Sequence, residues 1–96
     1  MRRLYRVIDP AGLHARPAAD LVRAMAEAVP GSVRIEHGGK AANAKSVLQV
    51  LSLGVRQNDR VVVDFGEATA DVVTALEVRM ARILFPAADL GDAPPV

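Results

Sequence analysis

The sequence predicts an α+β fold in which helices cover one face of an antiparallel sheet. The chain has 96 residues and is 51% hydrophobic, which is enough for one core but not for two. Strand-like and helix-like segments follow the order β-α-β-β-α-β-α, and Gly38-Gly39 is a hairpin signal between two strands. Strands with one buried face and helices with one apolar stripe pack as two layers. We therefore expect a two-layer sandwich of four strands and three helices.

The first strand is predicted over residues 2–8, where β-branched and aromatic residues precede the turn signal Asp9-Pro10. The first helix is predicted over residues 17–29, because apolar side chains recur there every three or four positions. Proline suits the first turn of a helix, where a missing N–H costs nothing. Pro30-Gly31 then ends the helix.

The middle of the chain predicts a hairpin and a short helix. Residues 33–37 alternate between apolar and polar side chains, as a half-buried strand does, and residues 40–43 form the return strand. A helix follows over residues 46–53, because Ser46 and Gln49 match a capping box and Gly54 supplies a stop. This helix is apolar almost all round, so part of its surface is expected to stay open to a partner.

The last strand and helix complete the predicted domain. Residues 60–65 are rich in valine, and an apolar stripe runs from Thr69 or Ala70 to about Leu84. Pro86 halts that helix. We expect one domain over residues 1–85 and a flexible tail over residues 86–96.

Composition excludes several classes of function. The net charge of +1 and the aromatic content of 3% argue against nucleic-acid binding. The absence of cysteine excludes disulfides and thiolate metal sites, and the two histidines lack the spacing of a metal site. No segment approaches the ~20 apolar residues of a membrane span, and no secretory signal is visible. We expect a cytoplasmic protein without metal, cofactor, nucleic acid or membrane insertion.

His14 is the leading candidate for a functional side chain. It lies just before Pro17, at or near the first helix N-terminus, where backbone N–H groups lack partners and the helix dipole favours anions. Arg16 adds a guanidinium that can pair with phosphate oxygens. Neutral imidazole is a good nucleophile near pH 7. A lone histidine beside a turn is nevertheless more often a structural cap or a solvated side chain. For His37, on a predicted strand near Gly38-Gly39, we expect placement at the surface or at a sheet edge.

Two runs of residues resemble one family. The run Gly12-Leu13-His14-Ala15-Arg16-Pro17-Ala18-Ala19 resembles the phosphorylation-site motif of the histidine-containing phosphocarrier protein (HPr) family of the bacterial sugar phosphotransferase system. The run Asn43-Ala44-Lys45-Ser46-Val47-Leu48-Gln49-Val50-Leu51-Ser52-Leu53-Gly54-Val55 resembles the regulatory segment of the same family. The spacing of the two runs also matches, and the likeness covers residues 2 to about 85.

The resemblance implies a phosphocarrier. His14 would accept a phosphoryl group on its ring Nδ1 from enzyme I, which is charged by phosphoenolpyruvate. It would then pass the group to the A domain of a sugar permease. Arg16 would stabilise the phosphoryl group. A protein of this kind works with partner enzymes and is not itself an enzyme, and we expect it to be a monomer.

Ser46 has two interpretations. A serine at this position caps a helix, and that alone would explain it. By resemblance it is also a possible phosphoserine, because an HPr kinase/phosphorylase modifies the matching serine in many Firmicute-type relatives. Enteric-type relatives keep the serine without that regulation, so both interpretations stay open.

The resemblance also implies a surface that binds partners, placed around His14 and on the helix after Ser46. Its predicted members are Gly12, Ala15, Pro17, Val47, Leu48 and Leu51. The three apolar helix residues are equally ordinary candidates for the core.

Two other functions remain as alternatives. One is an HPr-like regulatory module, acting in nitrogen-type phosphotransfer or carbon control with little role in sugar transport. The other is a plain ligand-binding module without covalent chemistry, which would not require His14 and Arg16 at the start of a helix.

Overall fold

The computed structural model describes residues 1–91 and confirms the α+β class. The elements are β1 (Arg2–Val7), α1 (Ala15–Ala28), β2 (Arg34–His37), β3 (Lys40–Asn43), α2 (Val47–Ser52), β4 (Arg60–Asp64), α3 (Ala70–Arg79) and β5 (Leu84–Gly91). The predicted hairpin strand after Gly38-Gly39 and the short helix after Ser46 both form where the sequence indicated.

One five-stranded antiparallel sheet runs in the order β3-β2-β4-β1-β5. Its register places Tyr5 opposite Val61 and Ile35 opposite Val63, and all four side chains are buried. Because side chains alternate between the two faces of a strand, this register places the buried apolar side chains of neighbouring strands on the same face of the sheet. The helices cover that face, so the sequence alternation is what builds the core.

The core lies between the sheet and α1, whose buried residues include Leu21, Val22 and Met25. Those positions repeat at the spacing of one helical face. The longest described helix is α1 with 14 residues. Among residues 1–91, no helix has the length and apolar character needed to cross a membrane.

The fifth strand was not predicted. Residues 86–91 belong to β5, although the sequence indicated a tail there, and residues 92–96 of that predicted tail lie outside the described residues. The free edge of β1 explains the difference, because β5 pairs along it from Val7–Leu84 to Arg3–Asp89. Pro86 breaks the local strand pattern, but an edge strand tolerates a proline.

Helix α3 also ends earlier than predicted, at Arg79 instead of near Leu84. The carbonyl oxygen of Met80 accepts the N–H groups of both Ile83 and Leu84, at 2.9 Å each, and so forms a turn. Met80, Ile83 and Leu84 are all buried. Their three- and four-residue spacing therefore arises because all three side chains enter the core, although Met80 and Ile83 belong to a turn and Leu84 to β5.

A polar cluster joins β1 to α3. The Arg3 guanidinium donates to both carboxylate oxygens of Glu77, at 3.0 and 2.9 Å, and the Tyr5 hydroxyl donates to Glu77 at 2.8 Å. The hydrogen bond to Glu77 raises the pKa of Arg3. Burial, followed by the hydrogen bond to Glu77, raises the pKa of Tyr5. The cluster reaches β5 as well, because Arg3 lies 3.7 Å from a carboxylate oxygen of Asp89.

Candidate functional site

His14 is the residue immediately before α1. Its backbone is extended, with φ −133° and ψ 158°, and its side chain is exposed. The ring makes no capping hydrogen bond to the helix. The prediction of a histidine at the helix N-terminus is therefore confirmed, but the imidazole is not used as a cap.

A tight backbone turn presents His14. The Asp9 carboxylate accepts the N–H of Ala11 at 2.8 Å, and the Asp9 carbonyl accepts the N–H of Gly12, also at 2.8 Å. Gly12 has φ +63° and Ala15 has φ +50°. The left-handed region is unfavourable for a residue with a Cβ such as Ala15. Two left-handed residues thus bracket Leu13 and His14 and keep the histidine outside the helix.

Gly12 locks this turn onto the loop that follows α2. A Cβ at Gly12 would lie 2.4 Å from the carbonyl oxygen of Val55 and 2.8 Å from the Cα of Arg56. The next N–H, that of Leu13, donates to the same Val55 oxygen at 3.1 Å. The close approach that Gly12 permits is therefore to the backbone of its own chain. It brings the two sequence motifs together.

A hollow of about 480 Å³ opens beside His14 between these two loops. It is lined by residues that include Leu13, His14, Leu51, Val55 and Arg56. We call it the His14 hollow. Arg56, which sequence reasoning did not identify, therefore brings a charged side chain to the His14 hollow.

Arg16 lies in the first turn of α1, two residues after His14. It is exposed and lines a second hollow, between α1 and the turn after α3, together with residues that include Asp9, Asp20, Arg23, Arg79 and Arg82. Its predicted role in stabilising a phosphoryl group on His14 stays a prediction.

Arg56 was missed because no local pattern marks it. It is separated from His14 by 42 positions in the chain, and only the contact between Gly12 and the loop after α2 brings it near. Gly54-Val55 at the end of the second motif was the one available signal, since it marks a tight turn just after the helix.

Ser46 is the N-cap of α2. Its Oγ accepts the N–H of Gln49 at 3.3 Å, as the capping-box pattern predicts. The reciprocal half of the box is absent, because the Ser46 N–H donates to the carbonyl of Asn43 at 3.0 Å. The Gln49 side chain accepts the N–H of Asn43 instead, at 2.9 Å.

The outer side of α2 is apolar and open. Leu48 is 80% exposed and Val47 is 38% exposed, whereas Val50 is fully buried and Leu51 is partly buried against the core. We call Val47 and Leu48 the α2 patch. Leu51 continues from the α2 patch to the His14 hollow, so the two features are neighbours.

The other predicted partner-binding residues divide by exposure. Gly12 and Pro17 are buried, and Ala15 is exposed.

The second histidine differs from His14, because ring atoms of His37 lie 3.2 Å from the carbonyl oxygen of Arg60 and 3.5 Å from a carboxylate oxygen of Asp59. His37 therefore joins strands, whereas His14 is held only through its backbone.

Solved structures resemble this fold. HPr from Bacillus anthracis str. Ames superposes with a TM-score of 0.70 and 28% identity, covering 86% of this chain and 95% of that one. HPr from Thermoanaerobacter tengcongensis gives a TM-score of 0.71 and 29% identity, covering 84% and 96%. A histidine-containing phosphocarrier protein from Mycoplasma gives a TM-score of 0.71 at 22% identity, covering 86% and 98%, which shows the shared fold alone.

The sequence itself matches a family profile, described as "PTS HPr component phosphorylation site", over residues 1–81. That range includes the turn that carries His14, the loop around Arg56 and the whole of α2. The chain belongs to the HPr family of phosphotransferase-system phosphocarrier proteins.

Proposed function

We propose that His14 accepts a phosphoryl group from phospho-enzyme I and passes it to the A domain of a sugar permease. The observation that carries this proposal is an exposed imidazole, free of any capping bond, at the start of α1. In the transfer, the lone pair of Nδ1 forms a new bond to phosphorus. The bond between phosphorus and the donor breaks, and its electron pair stays with the donor.

The surroundings favour the phosphorylated state. The first N–H groups of α1 have no intrahelical partners, and the helix dipole is positive at that end. Both stabilise an anion placed at a helix N-terminus. The His14 hollow also leaves space beside the ring for the incoming group.

Partner docking is assigned to the α2 patch. An exposed leucine next to the reactive site suits an interface that forms and dissolves with several proteins. The partners in this proposal are enzyme I and permease A domains, met in the cytoplasm.

Ser46 is the proposed regulatory residue, and an HPr kinase/phosphorylase is the enzyme that would modify it. A phosphoserine at the N-cap of α2 brings a charge of about −1.5 to −2, which the helix N-terminus tolerates. The same charge stands at the edge of the α2 patch and would repel an acidic partner surface.

The test of the carrier function is transfer of labelled phosphate. Incubation with enzyme I and labelled phosphoenolpyruvate should label the chain in an acid-labile, base-stable form. His14→Ala should abolish the label. His37→Ala is the matched control and should keep it, because His37 lies on β2 and faces Asp59 and Arg60. An unlabelled natural chain, or label that persists in His14→Ala, would contradict the proposal.

The test of regulation compares two serines. Ser46→Asp should leave the melting temperature close to that of the natural chain and should slow labelling of His14 by enzyme I. Ser32→Asp adds the same charge at an exposed position before β2 and should leave the labelling rate unchanged. Equal rates for the two variants would argue against Ser46 as a regulatory residue.

A further inference from the structure

Arg56 is the charged side chain in the His14 hollow. Among the described residues that line this hollow, it alone carries a charge. The other lining side chains are small, apolar or neutral. Arg56 is therefore the candidate cation in this hollow for an anion attached to His14.

The backbone of Arg56 is held firmly against the turn that presents His14. Its N–H donates to the Asp59 carboxylate at 2.9 Å, and its carbonyl accepts the N–H of Asp59 at 3.1 Å. Its Cα lies where a Cβ on Gly12 would meet it at 2.8 Å. The backbone that carries the Arg56 side chain is therefore fixed against Gly12, which lies two residues before His14.

The guanidinium of Arg56 is exposed, and it makes no ion pair or hydrogen bond with another described residue. Arg79 offers a contrast, because its guanidinium is already paired with the Glu27 carboxylate at 2.5 Å. A guanidinium without a partner at the edge of a reactive site can pair with a phosphoryl group at no loss of an existing ion pair.

We propose that Arg56 is a phosphate-binding side chain of this carrier, which pairs with the oxygens of a phosphoryl group on His14 from the α2 side. This inference rests on the proposed function. The fork of N–H donors on a guanidinium matches two phosphate oxygens. Arg56 thus binds the group from within the His14 hollow, in addition to Arg16 in the first turn of α1.

The experiment compares Arg56→Ala with Arg34→Ala. Arg34 is an exposed arginine on β2, so its loss changes the net charge equally and away from His14. Each protein is phosphorylated by enzyme I, separated from it, and followed as the label is lost to water. The equilibrium fraction of phosphorylated carrier is also measured with enzyme I present.

We expect Arg56→Ala to lower the equilibrium constant for phosphorylation about threefold to tenfold, as the loss of one exposed charge-assisted pair would. The isolated phosphoprotein should lose its label at a changed rate. Arg56→Lys should recover part of the equilibrium, because it keeps the charge without the fork. Arg34→Ala should match the natural chain in both measurements, and melting temperatures should agree within error.

The outcomes separate the two proposals. If the natural chain takes no label from enzyme I, the carrier function and the role of Arg56 both fail. If the natural chain is labelled and Arg56→Ala behaves like Arg34→Ala, only the role of Arg56 fails. If Arg56→Ala slows transfer but leaves the equilibrium and the loss of label unchanged, Arg56 contacts the partner protein and the inference is overturned.

Discussion

The turn that carries His14 and the strand β5 both attach to β1, yet they are held by different means. The turn leaves the C-terminal end of β1 and is fixed by backbone contacts, chiefly between Gly12 and the backbone of residues 55–56. Strand β5 lies along β1 and is also fixed by side chains. Asp89 faces Arg3 at 3.7 Å, and the Arg6 guanidinium lies 5.8 Å from the centre of the Phe85 ring.

The difference shows how a reactive side chain is kept available. Backbone contacts position His14 without using its imidazole, so both ring nitrogens remain open to other molecules. At β5, backbone pairing with β1 is supplemented by the side chains of Asp89 and Phe85, which already have partners on β1. Substitutions should therefore act on the two regions in different ways, through the main chain near His14 and through charge near β5.

The largest effect is expected from Gly12→Ala. The new Cβ would overlap the Val55 carbonyl oxygen at 2.4 Å, and alanine is strained at φ +63°. We expect a loss of roughly 2–4 kcal/mol in the free energy of unfolding, measured by urea denaturation. Gly31→Ala is the control, since a Cβ there meets nothing within 4 Å. Equal midpoints for the two variants would show that the turn is not held at Gly12.

A smaller loss is expected from Glu77→Gln, which breaks the polar cluster that joins β1 to α3. The variant loses the ion pair with Arg3 and weakens the hydrogen bond from Tyr5. Both residues of the pair are partly exposed, so we expect a loss of about 1–2 kcal/mol. Glu27→Gln removes a more exposed pair with Arg79 and should cost less than about 0.5 kcal/mol. A larger loss in Glu27→Gln would reverse this ranking.

Alkaline pH should weaken the same cluster. Burial and the hydrogen bond to Glu77 raise the pKa of Tyr5 above its ordinary value of about 10. The folded chain favours the neutral phenol, so this contribution to stability is complete below about pH 10 and is lost as the pH rises further. The chain has one tyrosine and no tryptophan. Phenolate absorbance should therefore appear only together with the loss of far-ultraviolet circular dichroism.

Tyr5→Phe provides the control for this titration. It should lower stability by about 1 kcal/mol at neutral pH and should lose this residue's share of the alkaline pH dependence. Phenolate that appears near pH 10 in a natural chain with unchanged circular dichroism would contradict the assigned environment of Tyr5.

The smallest effect on stability is expected from Leu48→Ala in the α2 patch. Leu48 is 80% exposed, so the unfolding midpoint should shift by less than about 0.5 kcal/mol. Transfer between His14 and enzyme I should nevertheless slow, because the α2 patch is the proposed docking surface. Val78→Ala is the matched control, since Val78 is 75% exposed on α3. The same transfer rate in both variants would remove the α2 patch from the interface.

Local patterns were sufficient for most elements of this fold. The spacing along α1, the glycine pair before β3 and the serine before α2 each identified an element near its observed position. These signals are local because a helical stripe or a turn residue acts on its own neighbours. The position of His14 at the start of α1 followed from the same kind of signal.

Features that depend on distant parts of the chain could not be read in this way. Strand β5 forms because β1 has a free edge, and nothing within residues 84–91 shows this. Arg3 and Glu77 are 74 positions apart, and their pairing depends on how α3 crosses the sheet. The placement of Arg56 beside His14 depends on the contact at Gly12. In each case the contact is set by the tertiary arrangement, and no local sequence pattern predicts it.

Pro86 on β5 has a consequence for the association of one copy of the chain with another. An edge strand with a full row of free N–H and C=O groups invites another strand to pair with it. Proline removes one N–H from β5. At the opposite edge, β3 is only four residues long and begins with Lys40. Both margins of the sheet therefore carry features that discourage pairing with a strand of a second copy.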